Sequence, residues 1–385
     1  MAATSGSKSQ VKPFTINIPQ SALDDLQQRL KLTRWPDEAP NSGWTMGTNL
    51  TYMKDLVNYW QNKYDWRKHE AELNQFNHFT ADVNGVNVHF IHERGKGANP
   101  TPILLLHGWP DSFYRYHNLI PLLTDPASFG GDANQSFDVI VPSIPGFGFS
   151  ERKAMSYDAN AALFATLMTD ILGYQKFICA GGDGGAIITI SLSQNHPDIL
   201  SGIYLTDVGY PDHTTDFSSL SPTEQEFAGF IQQWFMQEGP FNMIRATKPQ
   251  SLAFSMHDSP VGLAAWIMSF MMWGSTPEDI EKRFGQEELL TNIMIYWLSE
   301  SIGSSFRVSY EVAHAAPSPN AGKRSDVPAA VAHCPWDAPL PRDWAVRKVN
   351  LQHFTDLERG GHFAAWEEPR LYAKDVQDFV RQLSK

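Results

Sequence analysis

The 385-residue sequence contains only two cysteines, Cys179 and Cys334, too few for a disulfide framework or a cysteine-based metal site. It also lacks any cluster of lysine and arginine. Its 42 acidic residues outweigh 30 basic ones for a net charge of −12, which argues against nucleic acid or an anionic membrane surface as partner. The longest near-continuous apolar run, Val261 to Trp273, is too short to span a bilayer and is interrupted by Gly262 and Ser269. The stretch Met1 to Lys12 is polar, so neither a signal peptide nor a membrane anchor is expected, and a cytoplasmic location is. No repeat of fixed period and no low-complexity segment is present. What remains is a small-molecule protein. Self-association as a homodimer stays open.

The chain is longer than the roughly 250–300 residues at which a single core stops growing, which predicts one large domain with a sizeable insertion or appendage. Hydrophobic residues at 42% and charged residues at 19% suit a packed core, and 12 Trp, 12 Tyr and 23 Phe are compatible with an aromatic pocket. Residues 1–78 read as a mostly helical preface, with Ser21 placed to cap a helix Ala22 to Leu32 and a second helix over Leu50 to Tyr64. From 79 to 210 strands alternate with helices. Phe79 to Val83 and Val88 to His92 flank Asn84-Gly85, a hairpin signal, and Ile103 to Leu106, Val139 to Val141, Phe177 to Ala180 and Ile203 to Thr206 read as buried parallel strands. A helix is expected over Ala159 to Leu172. Residues 211–325 carry a helical pattern, and strands resume at Ala329 to Ala332 and Val349 to Thr355 before an amphipathic helix, Leu371 to Leu383. The pattern predicts an α/β fold: a doubly wound, mostly parallel sheet with a helical cap over the carboxyl ends of its strands, where ligands bind.

The most informative segment is Gly181-Gly182-Asp183-Gly184-Gly185, directly after the strand Phe177 to Ala180. In a G-x-S-x-G elbow the nucleophile stands on a sharp strand-to-helix turn whose glycines avoid a clash with neighbouring backbone. Here an aspartate replaces the serine. A carboxylate displaces a leaving group from saturated carbon to give an alkyl ester, so epoxides or alkyl halides are expected rather than esters or amides. Hydrolysis of that ester needs a histidine on the loop after the last strand, where Gly360-Gly361-His362-Phe363 lies. The histidine needs an acid to orient it. Asp337, in Cys334-Pro335-Trp336-Asp337, is the first carboxylate after the preceding strand, with Asp343 and Asp356 as rivals. Backbone donors for the oxyanion are expected from Gly184 and from Trp109 in His107-Gly108-Trp109-Pro110. A proton donor for a departing alkoxide is sought among cap tyrosines, and Tyr310 in Phe306-Arg307-Val308-Ser309-Tyr310-Glu311 is a candidate, although it reads equally well as a packed helix residue.

Taken with Leu32-Thr33-Arg34-Trp35-Pro36-Asp37, Tyr64-Asp65-Trp66-Arg67, Thr247-Lys248-Pro249-Gln250 and Asp258-Ser259-Pro260-Val261-Gly262-Leu263, these motifs resemble, over nearly the whole chain, the epoxide hydrolases of the α/β-hydrolase fold, in particular the microsomal-type branch with an extra N-terminal region. The resemblance implies Asp183 as nucleophile, His362 as base, Asp337 as its acid partner, Trp109 and Gly184 as oxyanion donors and Tyr310 as ring-opening acid. It implies no metal and no cofactor, a small hydrophobic epoxide as substrate, and Trp109 and Phe241 as substrate contacts. Two departures stand out. The Asp337-Ala338-Pro339-Leu340-Pro341-Arg342 loop is one residue shorter than is usual in the family, and the family's second cap tyrosine falls at Phe241, which cannot donate a proton. The absence of an N-terminal apolar anchor is similar to the soluble fungal members.

The leading reading is an epoxide hydrolase. A haloalkane dehalogenase shares nucleophile and histidine but commonly carries a tryptophan directly after the nucleophile, where this chain has Gly184. A binding protein on a degenerate scaffold would have lost one of the two, and neither is lost. A biosynthetic enzyme that rearranges or cyclises a complex epoxide stays open through Phe241.

Overall fold

The computed structural model describes residues 10–212, 215–272, 280–316, 318–320 and 322–383, so Met1 to Ser9 and Trp273 of the segments discussed above lie outside the described residues. A nine-stranded sheet runs through the molecule: β1 (Lys12–Phe14), β2 (His78–Val83), β3 (Val86–Glu93), β4 (Thr101–Leu106), β5 (Phe137–Pro142), β6 (Phe177–Gly181), β7 (Leu200–Leu205), β8 (Ser325–His333) and β9 (Val349–Asp356). Their order is β1-β2-β3-β5-β4-β6-β7-β8-β9. The first three pair antiparallel with one another and with β5, and the rest are parallel. Every residue of β5 and β6 is buried, as strands covered by helices on both faces require. The fold is an α/β-hydrolase fold.

Local chemistry accounts for the boundaries. Asn84 (φ 53°) and Gly85 (φ 80°) both adopt the left-handed conformation that a two-residue hairpin turn demands between β2 and β3. The first helix runs Gln20–Lys31 with Pro19, not Ser21, at its cap, because proline's fixed φ already suits a helix start and Ser21 falls inside the first turn. The preface is not purely helical, since Lys12–Phe14 adds an edge strand through pairs such as Pro13 with Phe79. Three residues are too few for an alternation signal. The helix expected over 159–172 is α-helical only over Tyr157–Thr166 and closes as a π turn, Leu167–Ile171.

Between β7 and β8 lie seven helices among the described residues: Pro222–Gln237, Pro240–Thr247, Pro249–Asp258, Pro260–Met271, Ile280–Phe284, Gln286–Leu298 and Ile302–His314. Four of them begin with proline, whose missing N–H costs nothing in a first turn. Ser221 and Glu224 add a reciprocal capping box to the first. The apolar run from Val261 is the buried helix Pro260–Met271, with Leu263, Ala264, Met268 and Met271 fully enclosed. Among the described residues no helix is long and apolar enough to cross a membrane.

The N-terminal region fastens onto this helical layer. Tyr59 Oη donates to Glu287 (3.0 Å), Lys68 pairs with Glu287 (2.7 Å), Tyr64 meets Thr291 (3.0 Å) and Arg29 pairs with Asp258 (2.7 Å). Buried Glu70 ties the region to itself, accepting from the Ile18 N–H and from Trp66 Nε1.

Candidate active site

The strand order places the switch point of the sheet at β4: its sequence successor β5 lies on one side and β6 on the other, which opens a crevice at the carboxyl ends of β4 and β6. Register pairs Leu106 with Gly181 and Gly181 with Leu205, so the loops leaving β4, β6 and β7 emerge side by side. Asp183 stands at the start of the helix Gly184–Asn195 with φ 53° and ψ −132°, a conformation disfavoured for any side chain with a Cβ and held here by its surroundings. A methyl group at Gly185 would overlap the Leu106 carbonyl, and one at Gly108 would overlap Asp183 itself, so both loops approach as closely as backbone permits.

Three side chains converge. His362 Nε2 lies 3.4 Å from Asp183 Oδ2, and His362 Nδ1 lies 3.0 Å from Asp337 Oδ2. The Trp109 N–H donates to Asp183 Oδ1 (2.9 Å), and the Gly184 N–H also reaches the Asp183 carboxylate. Burial pushes the Asp183 carboxyl up, but hydrogen bonding and charge from His362, together with the two main-chain donors, outweigh it and hold the group well below the usual carboxylate range. Burial likewise lowers His362, yet the adjacent Asp337 and Asp183 charges reverse that and carry the imidazole well above its ordinary value. Of the rival acids, Asp356 is 76% exposed and paired with His333 (2.8 Å), and Asp343 sits in the first turn of the helix Arg342–Lys348.

The loop carrying Trp109 is held from several sides. Asp111 Oδ1 accepts from the Gly108 N–H (2.8 Å) and Asp111 Oδ2 pairs with Arg115 (2.7 Å), whose Nη2 donates to the His362 carbonyl (2.8 Å). From the helix Gln286–Leu298, Asn292 Nδ2 donates to the Pro110 carbonyl (2.9 Å) and Tyr296 Oη to the Asp111 carbonyl (2.6 Å).

Two chambers meet at Asp183. The larger, about 300 Å³, is lined by Tyr210, Phe230, Ile231, Trp234, Phe235, Phe241, Trp336, Asp337 and His362. The smaller, about 30 Å³, is lined by Trp109, Phe147, Tyr157, Gly184, Arg245, Ser305 and Ser309 among others. A wider cleft of about 740 Å³ lies elsewhere, between the segment 29–53 and residues 258–265, and touches none of the converging side chains.

The structure therefore brings together Asp183, His362, Asp337, Trp109, Gly184 and Phe241, and it does not bring Tyr310 with them. The Tyr310 ring is 38% exposed, stacks on His314 at 4.0 Å between ring centroids and lines neither chamber. It lies on the outer face of the helix Ile302–His314, one residue beyond the face that Ser305 and Ser309 present to the smaller chamber. Sequence reasoning missed Arg245, Tyr157 and Asp207. Burial pushes the Asp207 carboxyl up to about 6, with Asp337 and Asp183 adding to the rise against the Gly209 N–H. Arg245 stood in a segment read for its motif Thr247-Lys248-Pro249, and only the helical offset from Phe241 to Arg245, one turn on the same face, could have flagged it. Among the described residues no cluster of three or more metal-ligating side chains is present.

An α/β sheet with an aspartate elbow, a histidine after the last strand and main-chain donors facing both defines the hydrolase class, and residues 101–296 match the family described as the alpha/beta hydrolase fold. Residues 11–116 match the family described as Epoxide hydrolase N terminus. A putative epoxide hydrolase of Stigmatella aurantiaca is 40% identical over 97% of this chain and 85% of its own length, and epoxide hydrolase 1 of Oryctolagus cuniculus is 35% identical over 96% and 88%. Among solved structures, juvenile hormone epoxide hydrolase from Bombyx mori superposes with a TM-score of 0.86 at 28% identity over 99% of this chain and 96% of that one. The Aspergillus niger epoxide hydrolase gives 0.83 at 27% identity over 98% of both. The chain belongs to the epoxide hydrolase family of α/β-hydrolase-fold enzymes.

Proposed function

We propose that the protein converts an epoxide into a vicinal diol through a covalent ester on Asp183. The observation that carries this reading is the position of the Asp183 carboxylate, with Oδ1 accepting from the Trp109 N–H (2.9 Å) and Oδ2 beside His362 (3.4 Å). In the first half-reaction Oδ2 attacks an epoxide carbon, the C–O bond breaks with its electron pair on oxygen, and an alkyl ester forms. The carboxylate is ionised at any working pH, because its partners hold its pKa low.

Ester formation removes the Asp183 charge. His362 then loses one of the two carboxylates that keep it protonated and becomes a competent base for water, while Asp337 continues to fix the ring. Water attacks the ester carbonyl, the Trp109 and Gly184 N–H groups receive the oxyanion, and the diol leaves with one oxygen from Asp183. The aromatic lining of the larger chamber suits an apolar carbon skeleton. The test is a single turnover in heavy-oxygen water. First-turnover diol should be mostly unlabelled, and full labelling would falsify the ester.

A further inference from the structure

Opening an epoxide leaves an alkoxide, which needs a partner on the side away from the nucleophile. Phe241 has no acidic hydrogen to give, and Tyr310, stacked on His314, lines neither chamber. Resting on the epoxide reading above, we propose that Arg245 is the electrophile of the ring-opening step: its guanidinium binds the epoxide oxygen in the smaller chamber and holds the alkoxide as the C–O bond breaks.

The side chain is built for one ligand atom. Arg245, from the helix Pro240–Thr247, is 8% exposed, and its guanidinium lies 3.9 Å above the Trp109 ring and 5.3 Å from Phe241. Nε and Nη2 both donate to Ser309 Oγ, at 3.0 and 2.6 Å. Nη1 is buried with no hydrogen-bond partner, and no carboxylate pairs with the group among the described residues. Native proteins seldom bury a guanidinium without an anion, and where they do it is a mark of function. Arg245 and Asp183 line the same chamber. Its volume of about 30 Å³ leaves room for a small polar group. Ser309 already fills the side-on edge with which arginine grips carboxylates bidentately.

Burial raises the Tyr157 phenol in the same chamber above its ordinary value, so that hydroxyl gives up its proton less readily than a free one. The balance closes: the alkoxide held by Arg245 takes the proton that His362 gives up once Asp183 is esterified, and water then adds to the ester carbonyl, one of its protons returning to His362 and the other leaving on the second hydroxyl, so that epoxide plus water gives diol.

The experiment measures ester formation by intact-protein mass in a His362→Gln background, which allows alkylation and blocks hydrolysis. Styrene oxide is the neutral probe and 3-phenylglycidate the anionic one. Adding Arg245→Met should slow ester formation from styrene oxide by about 10²- to 10³-fold, the span of a lost oxyanion donor. Arg245→Lys should keep part of the rate, and guanidinium ion added to Arg245→Ala should restore part of it, at unchanged thermal melting. Equal alkylation by Arg245→Met overturns the assignment while leaving the ester mechanism standing. A loss confined to 3-phenylglycidate also overturns it, in favour of a receptor for a substrate carboxylate. No ester in His362→Gln alone, with either probe, overturns the epoxide reading on which the proposal rests.

Discussion

The two faces of the active site are built by different means. The floor, comprising Asp183, His362, Asp337 and Trp109, stands on loops that leave adjacent parallel strands, and strand register places each one. The roof, comprising Phe241, Arg245, Ser305 and Ser309, stands on helices whose rotation about their own axes decides which side chain looks inward. On a strand, the alternation of faces and the pairing register mark from the sequence which residue stands where. On a helix a shift of one residue turns a side chain by about 100° and exchanges a chamber residue for a surface one. Ser309 and Tyr310 are that exchange.

Removing floor residues should have the largest effects. Asp183→Ala should abolish ester formation, by about 10⁴-fold or more, because no other carboxylate stands at the elbow; intact mass after mixing with epoxide reads this directly. His362→Gln should spare alkylation and slow ester hydrolysis by about 10²- to 10⁴-fold, so that an adduct accumulates on the peptide containing Asp183. Asp337→Asn should impair the same hydrolytic step to a similar extent by loosening the ring, whereas Asp356→Asn should not. Rapid-quench rates for the pair would erase the floor assignment if Asp356 proved the more costly.

A roof substitution gives the sharper contrast. Tyr310→Phe should leave alkylation within about two-fold, since its ring stacks on His314 outside the chambers. A large loss in a folded variant would bring Tyr310 back to the chemistry. The smallest expected effect is thermodynamic. With the Asp207 carboxyl pushed up to about 6, the folded state resists its ionisation, so this group's contribution is full below about pH 4 and is lost as pH rises through 6. Asp207→Asn, whose amide oxygen can still accept from the Gly209 N–H, should remove that fall, on the order of 1–2 kcal/mol between pH 4 and 7 by chemical denaturation.

The same contrast explains what the sequence disclosed. The alternation of apolar strands with helices, the glycines around Asp183 and the position of His362 after the last strand are consequences of sheet topology, which short-range patterns encode. Trp109 follows because β4 pairs with β6, which sets the loop after β4 beside the elbow. Tyr310 and Arg245 depend on helix phase and on the docking of one helix against another, a long-range outcome that period and composition leave free. The edge strand Lys12–Phe14 eluded reading for a related reason: it exists only through its pairing with β2.

The cap cannot open like a door. Asn292 and Tyr296 bond the very loop that supplies the Trp109 N–H, Ser304 bonds the Gly146 carbonyl, and the N-terminal helices grip the far side through Glu287, Thr291 and Asp258. A hinge motion would have to break the bonds that hold the loop carrying the Trp109 N–H. Traffic must therefore pass between standing walls, by the swinging of single side chains such as exposed Phe230, Phe235 and Trp336 at the rim of the larger chamber. Such a site would admit molecules through a narrow doorway under a fixed ceiling, with the bulk of those three rings as its gauge.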